Sequence, residues 1–199
     1  MRLINGDILS LNVPQPDPAI GKVLVAGPLM DEAIFGRSVV LMLDHDAAGS
    51  LGVVTNKQAG LKMSGIFPDM GAGGEIPVYV GGPVGLDRML FLHRFGGAIE
   101  GSTQVLPGLY YSCDLKRAKE LINMGARVEG NIRFFVGYSG WRAGQLRDEL
   151  DSHSWAVGDV GDTGELIALS GDEAWRNAVT WLPQRHRVWL NFPGDLHSN

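Results

Sequence analysis

Between residues 22 and 56 the chain offers strand signals separated only by turns, with no helical period among them, and that order limits the folds open to it. Residues 22–26 form a short apolar run that Gly27-Pro28 stops. After a turn-rich stretch over 31–36, Arg37-Ser38 leads into the unbroken apolar run Val39-Val40-Leu41-Met42-Leu43, the pattern of a strand covered on both faces. Asp44-His45-Asp46 closes that run, residues 47–50 turn the chain, and residues 51–56 return, which predicts a β-hairpin over 37–56. Strands joined by so short a turn are antiparallel. A doubly wound parallel sheet, which needs a crossover helix after each strand, is therefore not expected in this half.

The remaining punctuation gives a coarse map. A short helix is predicted over 62–67, closed by Pro68, followed by a glycine-rich loop over 71–75 of the flexible kind found beside sites. A strand over 78–80 runs into Gly81-Gly82-Pro83, and after a turn at 85–88 a strand over 89–93 follows. Pro107-Gly108 between 105–106 and 109–111 signals another hairpin. Ser112 or Asp114 can cap a helix over 115–124, which Gly125 ends. A strand over 132–138, a helix over 142–152, strands over 155–159 and 165–169, and a helix from Asp172 through Trp181 complete the chain. Eight or nine strands against about four short helices read as α+β. Residues 1–20, with Pro14, Pro16 and Pro18, read as a loosely packed arm, and residues 21–199 as one domain.

Charge narrows the function classes. The net charge is −5, and from Asp148 to Glu173 every charged residue is acidic. Duplex binding draws much of its free energy from Lys and Arg neutralising phosphates, so direct nucleic-acid binding is not expected. The apolar run 39–43 is far too short to span a bilayer, and Asn5, Asp7 and Asn12 interrupt any secretory h-region, so a cytoplasmic protein with no membrane partner is expected. The single Cys113 has no partner for an intramolecular disulfide, in keeping with a reducing compartment.

The stretch from Gly137 to Leu150 concentrates the polar and aromatic side chains of interest. Gly137 and Gly140 suit a tight strand exit, and on a helix starting at Trp141 the residues Ala143, Leu146 and Leu150 share one side. Trp141, Gln145 and Glu149 then follow at i, i+4 on another side, either facing a cleft or solvent with a flat apolar platform and two-way hydrogen bonding, or with Trp141 plugging the core and Gln145 satisfying the loop after Tyr138. Other candidates lie elsewhere. His45 and His93 each end an apolar strand, and strands ending at one rim would let both imidazoles meet one polar ligand. Gly81-Gly82 could present backbone N–H groups to an anion, although no helix follows as in nucleotide fingerprints, so a structural bend fits better. A serine hydrolase is disfavoured because Trp141 replaces the second glycine of a Gly-x-Ser-x-Gly elbow around Ser139. Asp44-His45-Asp46 is not a convincing metal site, since adjacent strand residues point to opposite faces. No catalytic residue, metal or cofactor is assigned.

Several of these patterns, in one order and spacing from about residue 21 to 178, resemble the YqgE/AlgH family of bacterial proteins. They are Arg37-Ser38-Val39-Val40, His45, the run from Gly49 to Lys57 that includes Asn56, Gly81-Gly82-Pro83-Val84, Leu92-His93, and Gly137-Tyr138-Ser139-Gly140-Trp141-Arg142-Ala143-Gly144-Gln145-Leu146 with Glu149-Leu150 and Trp155. Gln58 stands where that family usually has Pro, and Ser139 where Ala is common. The resemblance implies an α+β domain with a mostly antiparallel, bifurcated sheet curling into a pseudo-barrel. It implies no enzyme class, and no DNA-binding motif supports the transcriptional-regulator label some members carry. The reading that follows is a non-enzymatic binding or regulatory protein. It would hold an unidentified small molecule or protein partner in a cleft among the 37–56 hairpin, the 81–93 segment and the Trp141 helix, with His45, Asn56, Gly81, Gly82, His93, Trp141, Gln145 and Glu149 as candidate contacts. The alternatives are an enzyme using His45 or His93 as acid or base and, less favoured, a transcriptional regulator.

Overall fold

The computed structural model describes residues 15–193. The strands are β1 (Lys22–Ala26), β2 (Val39–Asp46), β3 (Gly49–Val54), β4 (Gln58–Lys62), β5 (Pro77–Val80), β6 (Val84–His93), β7 (Thr103–Leu106), β8 (Leu109–Ser112), β9 (Ile132–Arg142) and β10 (Trp155–Asp159). The α-helices are α1 (Met63–Ile66), α2 (Leu115–Asn123), α3 (Gln145–Asp151), α4 (Thr163–Ala168) and α5 (Gly171–Trp181). The sheet runs β10-β1-β2-β3-β9-β6-β8-β7 and branches at β9, where β5 also pairs and carries β4. Among the described strands only the β5–β9 pair is parallel. The fold is thus α+β with a mostly antiparallel, bifurcated and curled sheet.

β9 makes the branch. One of its edges pairs with β6 from Ile132 to Tyr138, while the other pairs first with β5 at Phe134, Phe135 and Val136 and then with β3 from Ser139 to Arg142. The link between β5 and β6 must therefore cross β9 from edge to edge, and Gly81-Gly82-Pro83 is that link. Space there is minimal: a Cβ on Gly81 would lie 2.3 Å from the Gly137 carbonyl oxygen, and one on Gly82 2.3 Å from the Tyr138 carbonyl. Gly137, at φ +69°, answers from the β9 side. The pair reserved for an anion or a bend is a backbone crossing. Its amide is already committed, since Gly81 N–H donates to the Val136 carbonyl at 2.8 Å.

Three apolar clusters fill the two faces of the sheet. The largest joins Val25, Leu41, Val53, Leu92 and Phe135 to Trp175, Ala178 and Val179 of α5. A second gathers Leu24, Val40, Met42 and Val54 with Trp141, Leu146, Leu150 and Trp155, so α3 covers this face. The third packs Met63, Val78, Phe91 and Phe134 under Ala118 and Ile122 of α2. Each large buried side chain adds roughly 1.5–3 kcal/mol. Asp114 caps α2 by accepting the Arg117 N–H, and Gly125, at φ +92°, ends it.

Several expected elements change. Residues 165–169 form helix α4, because Asp162 accepts the Glu165 N–H and caps a turn that buries Leu166 and Ile167; five apolar-rich residues carry too little period to separate strand from helix. The strand of residues 132–138 continues to Arg142, since Ser50 and Gly49 of β3 pair with Trp141 and Arg142. Helix α3 consequently starts at Gln145, after Gly144 at φ +80°, and Ala143 is exposed. The predicted turn at 85–88 belongs to β6, whose pairing with β9 is irregular between Val84 and Met89. β4 was not anticipated: it is an exposed edge strand with Ala59 and Gly60 inside it, residues of weak strand preference. Of the N-terminal arm, residues 1–14 lie outside the described residues. Gln15 packs closely, its amide donating to the Trp155 carbonyl and accepting the Val157 N–H, both at 3.0 Å, on the outer edge of β10.

Candidate functional site

Where β9 gives way to α3, four side chains lock together. The Glu149 carboxylate accepts the Trp141 indole N–H at 2.8 Å and the Trp155 indole N–H at 2.8 Å on one oxygen, and the Gln145 amide N–H at 3.0 Å on the other. Gln145 also accepts the Arg142 backbone N–H at 3.1 Å, which ties down the turn into the helix. The expectation of one helical face is corrected in its route, because Trp141 belongs to the strand. The three residues meet all the same, because α3 folds back over the face on which Trp141 lies. Trp141 is 6% exposed and packs within the second cluster, with the Trp155 ring edge-on at 6.2 Å. Its indole is core material with a polar edge.

That edge opens on a groove of about 360 Å³ lined by Trp141, Gln145, Glu149, Phe35, Glu32 and Pro83, among others. Met30, Glu32 and Ser154 continue into a neighbouring hollow of about 450 Å³ along residues 27–32 and beside Trp189. Glu32, Phe35 and Trp155 escaped the sequence reading as groove residues. Residues 31–36 read as turn, and nothing in a turn shows which surface it lies against.

The two histidines do not share this groove. Ser50 pairs with Trp141, and His45 with Ser50, so His45 sits near the Arg142 end of β9; His93 pairs with Ile132 at the other end. Ile132 and Trp141 are nine positions apart on the strand, at most about 30 Å if fully extended. The common rim expected for both imidazoles is therefore corrected by the register. His93 is fully buried and stacks on Tyr110 and Phe95. Its Nδ1 accepts the Phe95 N–H at 3.3 Å; Ser102 donates to the Ile99 carbonyl, so Nε2–H donates to Ser102 Oγ at 2.8 Å. Burial pushes its pKa down to about 4, which keeps the ring neutral at pH 7.

His45 is half-buried, its Nδ1 2.7 Å from Ser50 Oγ, and lines a cavity of about 170 Å³ with Asp46, Arg142 and Arg147. No residue lining this cavity lines the Gln145 groove. Asn56 is buried and saturated: it accepts the Val39 N–H at 3.0 Å and donates to the Arg37 and Gly171 carbonyls, each at 2.9 Å. Its role is to tie the hairpin to α5. Ser139 is likewise enclosed, donating to the Gly81 carbonyl at the crossing. Of the eight candidates, Trp141, Gln145 and Glu149 come together, and His45, His93, Asn56, Gly81 and Gly82 lie apart from them. Among the described residues no group of three or more His, Cys, Asp or Glu side chains is placed to hold a metal ion, and no helix is long and apolar enough to cross a membrane.

Fold and groove define an α+β protein whose sheet forks at one long strand and whose strand-to-helix turn carries an indole, an amide and a carboxylate in one hydrogen-bonded set. A family model described as AlgH-like matches residues 23–187, and the chain belongs to that family. It is 36% identical over 183 residues to a UPF0301 protein of Parabacteroides distasonis, covering 92% of each chain, and 39% identical over 159 residues to one of Chlorobaculum parvum, covering 80% and 84%. Among solved structures it is similar to the AlgH protein of Pseudomonas aeruginosa, with a TM-score of 0.67 and 28% identity over 85% of this chain and 92% of that one. It also matches protein DIP2367 of Corynebacterium diphtheriae, with a TM-score of 0.76 and 22% identity over 92% and 97%, a likeness of fold.

Proposed function

We propose that the chain is a non-enzymatic binding protein that receives a small polar ligand, or a segment of a partner protein, in the groove beside Trp141, Gln145 and Glu149. The observation that carries this reading is the triple engagement of Glu149, which fixes the groove's polar edge before anything enters and so lowers the ordering cost of binding. Glu32 and Glu149 line the groove with no Lys or Arg, and the indole and Phe35 surfaces beside them favour an occupant that donates hydrogen bonds or carries positive charge. Native mass spectrometry of the purified protein and of Gln145→Ala tests it. Gln145 is exposed, so the variant should melt within about 1 kcal/mol of the parent and lose the retained species. Turnover of an ester, phosphate or thioester panel that Gln145→Ala abolishes in a folded protein would refute the non-enzymatic reading.

The enzyme alternative has one observation in its favour, the 2.7 Å contact between His45 and Ser50 Oγ in the small cavity. Against it, no described side chain is hydrogen-bonded to His45 Nε2 to orient the ring. Labelling of Ser50 by a fluorophosphonate, lost in His45→Ala, would promote it; an unlabelled Ser50 would leave the pair as a cross-strand contact.

A further inference from the structure

At the Ile132 end of β9 a further cavity, of about 440 Å³, shares no lining residue with the groove above and carries an unusual charge. Arg133 lines it and is only 4% exposed. Its Nη1 donates to the Thr55 and Leu169 carbonyls, and its guanidinium carbon lies 3.9 Å from the centre of the Tyr79 ring. Among the described residues no carboxylate pairs with it, and its Nε and Nη2 make no hydrogen bond. Neutral carbonyls and a ring face offset only part of the cost of removing a cation from water. Desolvation accordingly pulls its pKa down to about 10.

The surroundings specify what would complete the charge. Ile76, Ile132 and Ile167 form apolar walls, so an occupant needs an apolar body as well as an anionic head. Glu75 and Glu129 also line the cavity, largely exposed and paired with Lys62 and Arg127, so the rim adds little net positive charge to that of Arg133 and a single negative charge matches it better than a dianion such as a phosphate monoester. The Nε and Nη2 edge of a guanidinium matches two carboxylate oxygens in a plane. We propose that this cavity is a binding site for a small organic monocarboxylate, its head group bidentate on the Nε and Nη2 edge of Arg133 and its apolar body against Ile76, Ile132 and Ile167.

Isothermal titration calorimetry of the full chain with hexanoate, 1-hexanol and inorganic phosphate at one ionic strength tests this. Hexanoate should bind one to one and at least ~10-fold more tightly than either control, since charge-assisted paired bonds are lost in the alcohol. Arg133→Lys, which keeps the charge and loses the planar fork, should weaken it about 10-fold. Because a buried substitution can unfold the chain, Ala168→Trp at the exposed part of the lining gives an independent test: it should abolish hexanoate binding in a folded protein. The proposal is overturned if hexanoate fails to bind the folded parent, if 1-hexanol or phosphate binds as tightly, or if folded Ala168→Trp binds hexanoate unchanged.

Discussion

The two ends of β9 use polar side chains in opposite ways. At the Ile132 end, His93 is sealed under aromatic rings with both nitrogens engaged, while Arg133 is buried and, among the described residues, is paired with no carboxylate. At the Arg142 end, Trp141, Gln145 and Glu149 satisfy one another at the lip of an open groove. One strand thus borders a groove whose polar groups are already matched and a cavity lined by a buried cation with no carboxylate partner among the described residues. An imidazole at a strand end says little until its partners are counted, because a fully engaged ring such as His93 is scaffolding.

The comparison can be broken most sharply at the indole. Trp141→Ala removes a buried ring from the second cluster and a donor from Glu149, and should cost about 3–5 kcal/mol in urea denaturation. A loss under ~1 kcal/mol would mean that the indole serves the groove alone. Next comes acid. His93 has a folded-state pKa of about 4, below the usual 6.5, so the unfolded chain binds the proton first. The stability this ring contributes is fully present above pH 6.5 and is lost as pH falls toward 4, by roughly 3 kcal/mol. His186, also lowered by burial, acts in the same direction. Stability measured from pH 7 to 4 should fall less steeply in His93→Phe, and equal slopes would show that the ring titrates freely. A smaller effect belongs to Glu149→Gln, which retains an acceptor for the indoles but removes the charge: about 1–2 kcal/mol in the same denaturation measurement.

Legibility in the sequence followed the range of the signal. The hairpin of β2 and β3, the cap of α2 at Asp114 and the Pro107-Gly108 turn depend on residues close together in the chain, and all were readable. Gln145 and Glu149 were placed together because i, i+4 spacing is local geometry. Trp141 joined them through a different element than its spacing suggested, since strand pairing with Ser50 extends β9 past the glycines that seemed to end it. Arg133 had a faint signal, a lone cation in the apolar run of residues 132–136, and without knowing which cavity it faced that signal had no meaning.

What the sequence by itself determined is the alternation of strands and turns, the α+β class, and the placing of Gln145 beside Glu149 on α3, because each rests on periods and spacings of a few residues. Only the tertiary structure decided which groups share a surface. The register of β9 sets His93 opposite Ile132, nine positions along the strand from Trp141, and the crossing of Gly81-Gly82 over Gly137 splits the sheet between them. Register and crossing are set by packing among residues far apart in the chain, so no local pattern carries them.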